Sequence, residues 1–162
     1  MILQRQQSSY DCFLVTIAML TNKLLSEVVQ KADELSGDTF ASLVPCNDAT
    51  KFWICCSKVA NFYNLPNLAN TCRILINYPT MQILKDCSKV QPFTLDIDLS
   101  GKGQIGIYWK CAGHSMAFEN GMIFDPNADK PMTLVQWKAW AKTVYLSNGS
   151  SPEQMIVTKE SD

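Results

Sequence analysis

The sequence predicts an α+β domain, with helices first and an antiparallel sheet second. Two patterns and one turn predict it. Apolar residues recur at helical spacing through residues 12–63, and they alternate from Phe93 onward. Asn120-Gly121 then joins two alternating runs, the strongest short-range hairpin signal a sequence offers. At 162 residues the chain is long enough to bury one core, so a single domain over 1–162 is expected.

Residues 12–21 are apolar nearly all round, with Asp11 placed as an N-cap, and a helix with no polar face belongs in the middle of a domain. Asn22-Lys23 breaks it. Leu24, Leu25, Val28, Val29, Ala32 and Leu35 form the single stripe of a second helix, which Ser36-Gly37-Asp38 stops. Asp48 opens a third helix whose Phe52, Trp53, Cys56, Val59, Ala60 and Tyr63 share a face, ended by Asn64-Leu65-Pro66. Residues 73–76 read as a short strand, and Thr80 caps a brief helix with Ile83, Leu84 and Cys87. Strands are expected at 93–97 and 105–111 around a turn at 100–103, followed by the hairpin over 113–127. Thr133 starts a last helix with Leu134, Trp137 and Ala141 on one side. Residues 143–146 and 155–158 read as strands around the loop at 148–152.

A net charge of −1 and a pI near 5.8 give no electrostatic case for nucleic acid or an anionic membrane. The apolar run at 13–20 is too short to span a bilayer, and Asp11 precedes it where a signal peptide wants basic charge. The expectation is a soluble cytoplasmic protein, of a bacterial cell or of a host cell if viral. The seven cysteines are an odd number with no Cys-x-x-Cys pair, and only one histidine accompanies them. No metal or other cofactor is therefore expected, and most of the thiols read as reduced and buried.

The one histidine, His114, lies in the hairpin. A two-residue turn would pair Glu119 with Met122, Phe118 with Ile123, Met116 with Asp125 and His114 with Asn127. Opposed residues share a face, as do alternate residues of a strand, so His114, Asp125 and Asn127 project from one side. An imidazole beside a carboxylate or amide is the base-and-orienter half of a nucleophilic site. Cys12 is the candidate for the other half. It falls in the first turn of the buried helix, where unpaired backbone N–H groups and the macrodipole favour an anion, while the neighbouring Asp11 opposes one. Gln6, six residues earlier, is placed to loop back and add an amide donor to the Cys12 backbone N–H for an oxyanion. Gln4 and Gln7 are nearby, so spacing alone selects Gln6. Ser115 has no Gly-x-Ser-x-Gly elbow around it, residues 101–103 form a turn and not a phosphate loop, and Trp109 reads as packing more readily than as a cleft wall.

Gln6 and Cys12 with five residues between them, then a distant Gly113-His114 on a strand, then Asp125-Pro126, together resemble the papain-like cysteine peptidases. By pattern the chain is most similar to the subgroup containing the peptidase domain of bacteriocin-processing transporters. The resemblance covers residues 6–29 and 103–127. It implies a papain-like fold, with Cys12 as nucleophile, His114 as general base and acid, Asp125 orienting the imidazole and Gln6 as oxyanion donor. Asn127 competes with Asp125, because papain itself uses an asparagine there. Phe13 departs from the glycine common after the nucleophile in that subgroup, and the hairpin between His114 and Asp125 is shorter. The implied function is a cysteine peptidase acting on a protein or peptide substrate through an acyl-enzyme, with oligomeric state left open. Deamidation and acyl transfer share the same steps. The competing class is a non-catalytic module that keeps the shell and binds a protein or peptide partner.

Overall fold

A computed structural model describes residues 1–8, 10–44, 49–77, 90–94, 96–109, 113–145, 152 and 154–160. Five α-helices and six strands are found among them. The first half holds α1 (Cys12–Thr21), α2 (Leu25–Ser36), a 3-10 turn (Phe40–Leu43), α3 (Thr50–Phe62) and α4 (Pro66–Ile76). The second half holds β1 (Gln91–Pro92), β2 (Lys102–Tyr108), β3 (Gly113–Glu119), β4 (Met122–Phe124), β5 (Met132–Thr133), α5 (Leu134–Val144) and β6 (Gln154–Glu160). The strands form one antiparallel sheet in the order β1-β6-β2-β3-β4-β5. The α+β expectation is met. No single helix among the described residues is long and apolar enough to cross a membrane.

α1 is the centre of the helical half. Phe13 to Leu20 are all buried, as an all-round apolar helix must be. Asn22 closes it in the left-handed conformation, and Gly37 does the same for α2. The α2 stripe is buried at Leu25, Val28 and Ala32, whereas Leu24 is exposed. Asp11 stands at the N-cap position, but its side chain caps nothing in α1. It turns back instead, and Oδ2 accepts the Gln7 N–H at 3.1 Å. A carboxylate expected to hold the helix therefore holds the loop before it.

The sheet is covered on both faces. Ala117 and Phe124 join the core built by α1 to α4, while Ile105, Ile107, Met116, Phe118, Ile123 and Met155 pack under α5 with Trp137 and Ala141. This accounts for β2 and β3 being buried at nearly every position instead of alternating with solvent. The hairpin has the expected register where β4 extends, with Glu119 opposite Met122 and Phe118 opposite Ile123. Asn120 (φ 49°) and Gly121 (φ 86°) both take positive φ, the condition for a tight two-residue turn between twisted strands. β4 ends at Phe124, so the expected pairs Met116–Asp125 and His114–Asn127 are not part of the ladder.

Several expected elements are corrected. Residues 73–76 are the end of α4 and not a strand. Pro66 starts that helix at its first position, and Leu68, Ala69, Cys72 and Leu75 are buried along it. Its N-terminal N–H groups at Asn67 and Leu68 are taken by Glu160, a carboxylate from β6 that no local pattern announces. The strand expected at 93–97 is instead the two-residue β1 at Gln91–Pro92, and β2 begins at Lys102, inside the segment read as a turn. Thr143 and Val144 belong to α5 and Tyr145 is its C-cap, so the strand expected at 143–146 is absent as far as Tyr145. Asp48, Cys46, Cys87, Cys111 and the brief helix expected after Thr80 lie outside the described residues.

Thr133 caps α5 as expected. Its hydroxyl accepts the Gln136 N–H, and the Gln136 side chain returns the bond to the Thr133 N–H. Replacing Thr133 with alanine is expected to cost about 1 kcal/mol, read as a lower midpoint with unchanged slope in urea denaturation.

Candidate active site

The sequence singles out four residues, and the fold brings three of them to one place. α1 lies along β3, and one turn after Cys12 the Thr16 hydroxyl meets the Ser115 hydroxyl at 2.8 Å. That contact sets the first turn of α1 beside the start of β3, where His114 stands. The Cys12 thiol, which is partly exposed, lies close enough to the His114 imidazole to favour its protonated form. On the other side of the ring, His114 Nε2 lies 2.9 Å from Asp125 Oδ1. With Nε2 taken, Nδ1 is the ring nitrogen left for the thiol. Ser115 points into the contact with Thr16 and Gln104, away from this chemistry.

Asp125 is fully buried and surrounded by donors. Oδ1 receives His114 Nε2–H and the Asn127 backbone N–H, each at 2.9 Å. Oδ2 receives the Trp137 indole N–H at 2.9 Å, and the Tyr145 hydroxyl lies 3.0 Å from both oxygens. Burial pushes the Asp125 carboxyl up, but the His114 bond and charge, the indole and the Asn127 N–H outweigh it and hold it below the ordinary carboxylate value. Burial likewise pushes His114 down, and the bonds to Asp125 and then to Cys12 overcome it, raising the imidazole to about 9. His114 is only 8% exposed, so its proton is held by these partners and not by water.

Between the two residues that compete to orient the ring, only Asp125 touches it. The exposed Asn127 side chain donates to the Tyr145 hydroxyl at 2.9 Å instead. Asn127 was placed on the correct side by the hairpin register, but the chain leaves the strand at Asp125 and turns.

Gln6 arrives by a different route. Its backbone N–H donates to the Pro126 carbonyl at 2.9 Å, which fastens the N-terminal segment to the turn after Asp125. One Nε2–H goes to the Ser8 carbonyl at 2.6 Å, while Oε1 is buried with no partner among the described residues. An amide nitrogen carries two hydrogens, so a second donor remains. The other two glutamines are placed elsewhere. Gln4 spans the junction of α1 and α2, donating to the Lys23 carbonyl and accepting the Leu25 N–H, and Gln7 is exposed. A cleft of about 730 Å³ runs along the loop before Cys12, with Gln7, Tyr10, Asp11 and Leu14 on one wall and Val29 and Phe40 on the other.

Sequence reasoning missed Tyr145 and the polar end of Trp137. Tyr145 sat in a segment read as strand, and nothing local distinguishes a tyrosine that closes a helix from one that packs. Trp137 was read for its apolar ring, yet a buried indole N–H needs an acceptor, and that requirement was available as a signal. Among the described residues no group of side chains is arranged to hold a metal ion. Cys55, Cys56 and Cys72 are free and buried, and burial raises all three above the ordinary thiol value. No protein-family model, curated protein or solved structure matches the chain.

Proposed function

We propose that this protein is a thiol-dependent amide hydrolase of papain-like design, with Cys12 as nucleophile, His114 as general base and acid, and Asp125 as orienting carboxylate. One observation carries the reading: a buried imidazole bonded through Nε2 to a carboxylate, with the thiol of Cys12 beside it. Its setting supports it, since that thiol opens a buried helix laid against an antiparallel sheet.

The steps follow from the arrangement. Sγ of Cys12, its proton already carried by His114, bonds to the substrate carbonyl carbon, and the carbonyl oxygen becomes an oxyanion. The second Nε2–H of Gln6 and the Cys12 backbone N–H are the donors we assign to it. Collapse breaks the C–N bond, and His114 passes its proton to the departing nitrogen, leaving a thioester. Water then attacks the thioester, giving a proton to His114, and the C–S bond breaks as Sγ leaves as the thiolate. Asp125 remains ionised throughout and keeps the ring in the tautomer that presents Nδ1 to the thiol. A protein or peptide chain is the proposed substrate class, and the cleft lined by Tyr10 and Asp11 lies next in sequence to the nucleophile.

Iodoacetamide tests the reading directly. Near neutral pH, Cys12 is expected to be alkylated first among the cysteines, and His114→Ala to slow it about tenfold or more. Peptide mapping that finds Cys12 protected while another thiol reacts first would remove the nucleophile from the scheme.

A further inference from the structure

We propose that Asn127 and Tyr145 form a positioning relay for the His114 imidazole, in which the Asn127 side chain acts on the ring only through the Tyr145 hydroxyl.

A tyrosine hydroxyl has one proton to give and lone pairs to receive with. Here every capacity is used. The proton goes to Asp125, 3.0 Å from each carboxylate oxygen. The lone pairs receive Asn127 Nδ2–H at 2.9 Å and face His114 Nε2 at 3.1 Å. Burial and the Asp125 carboxylate keep the hydroxyl protonated. The ring cannot swing away, because its centroid lies 5.3 Å from His114, 5.7 Å from Trp109, 5.5 Å from Trp140 and 6.4 Å from Trp137.

The fold explains the need. β4 ends at Phe124, so strand pairing does not fix Asp125, and the carboxylate is located by the Asn127 backbone N–H and by side chains. Asn127 reaches Asp125 by its backbone N–H and reaches the ring's other neighbour by its amide. Substituting its side chain therefore breaks the relay without removing the backbone bond.

The catalytic meaning of the relay rests on the hydrolase reading, but its test does not. His114 is the only histidine, so ¹⁵N-histidine labelling of the whole chain gives unambiguous ring signals. Tyr145→Phe is expected to move the Nε2 resonance and to shift the His114 titration midpoint by about half a unit or more, with the melting transition retained. Asn127→Ala is expected to move Nε2 in the wild-type background, and to produce less than about a quarter of that change once Tyr145→Phe is present. An equal Asn127→Ala shift in both backgrounds, or an unmoved Nε2 in Tyr145→Phe, overturns the relay. If Tyr145→Phe does not fold, Asn127→Ala and the isosteric Asn127→Leu decide alone: both must move Nε2, and a wild-type signal in both overturns it. Relay shifts accompanied by an unreactive Cys12 would sink the hydrolase reading and leave the relay standing.

Discussion

Cys12→Ala is expected to lower amide hydrolysis by about four orders of magnitude or more, because without Sγ no acyl-enzyme can form. The substitution is mild for the fold. Cys12 is partly exposed in the first turn of α1, and the eight residues that anchor the helix, Phe13 to Leu20, stay buried. Peptide binding is therefore expected to survive, so this variant separates chemistry from recognition. The comparison of turnover and binding between Cys12→Ala and wild type also decides between the two classes of function. A hydrolase loses turnover and retains affinity. A binding module shows equal affinity in both proteins and no turnover in either, and that outcome would replace the catalytic scheme.

The candidate pair was readable in sequence because each half rests on a local rule. Asn120-Gly121 dictates a two-residue turn, the turn dictates register as far as Phe124, and the next residue, Asp125, meets His114 by a side-chain bond. An all-round apolar run after Cys12 dictates burial of α1 and places the thiol at a helix start. What was not readable depends on contacts distant in sequence. Asp11 chose the loop over the helix because Gln7 offered a donor. α4 was mistaken for a strand at its end because its N-terminal N–H groups are satisfied by Glu160, which lies about ninety residues further along the chain. The choice between Asp125 and Asn127 depended on where β4 stops, and the strand ends at Phe124, three residues before the Asn127 that the hairpin pattern implied. Tyr145 joined the site only because α5 continues through Val144 and ends there, which sets the hydroxyl over Asp125.

Asp125→Asn is the substitution with the next largest expected effect, and its pH dependence gives the sharper test. The amide keeps the size of the carboxylate but not its charge, and it presents an N–H where Trp137 or Asn127 also presents one. A fall in kcat of about a hundredfold to ten-thousandfold is expected, larger than that of Asn127→Ala; the opposite ranking would make Asn127 the orienting residue. The sign of the pH effect follows from the wild-type balance. Burial lowers His114 and Asp125 chiefly raises it, to about 9. Removing the carboxylate leaves burial opposed only by Cys12, so the His114 midpoint falls toward 6.5 or below, and the alkaline limb of the activity profile moves with it. The effect on stability is different on each side. A raised His114 stabilises the fold fully below its unfolded value of about 6.5, and that stabilisation is lost as pH rises through about 9. A lowered Asp125 stabilises above its unfolded value of about 3.8 and is lost as pH falls through its folded value. Both contributions are present between about pH 4 and 6.5, so the destabilisation caused by Asp125→Asn is expected to be greatest there and to shrink above pH 9. Urea denaturation of wild type and variant at pH 5.5 and 9.5 measures it, and equal differences at the two pH values would mean that the carboxylate and the imidazole are not an ion pair in the folded protein.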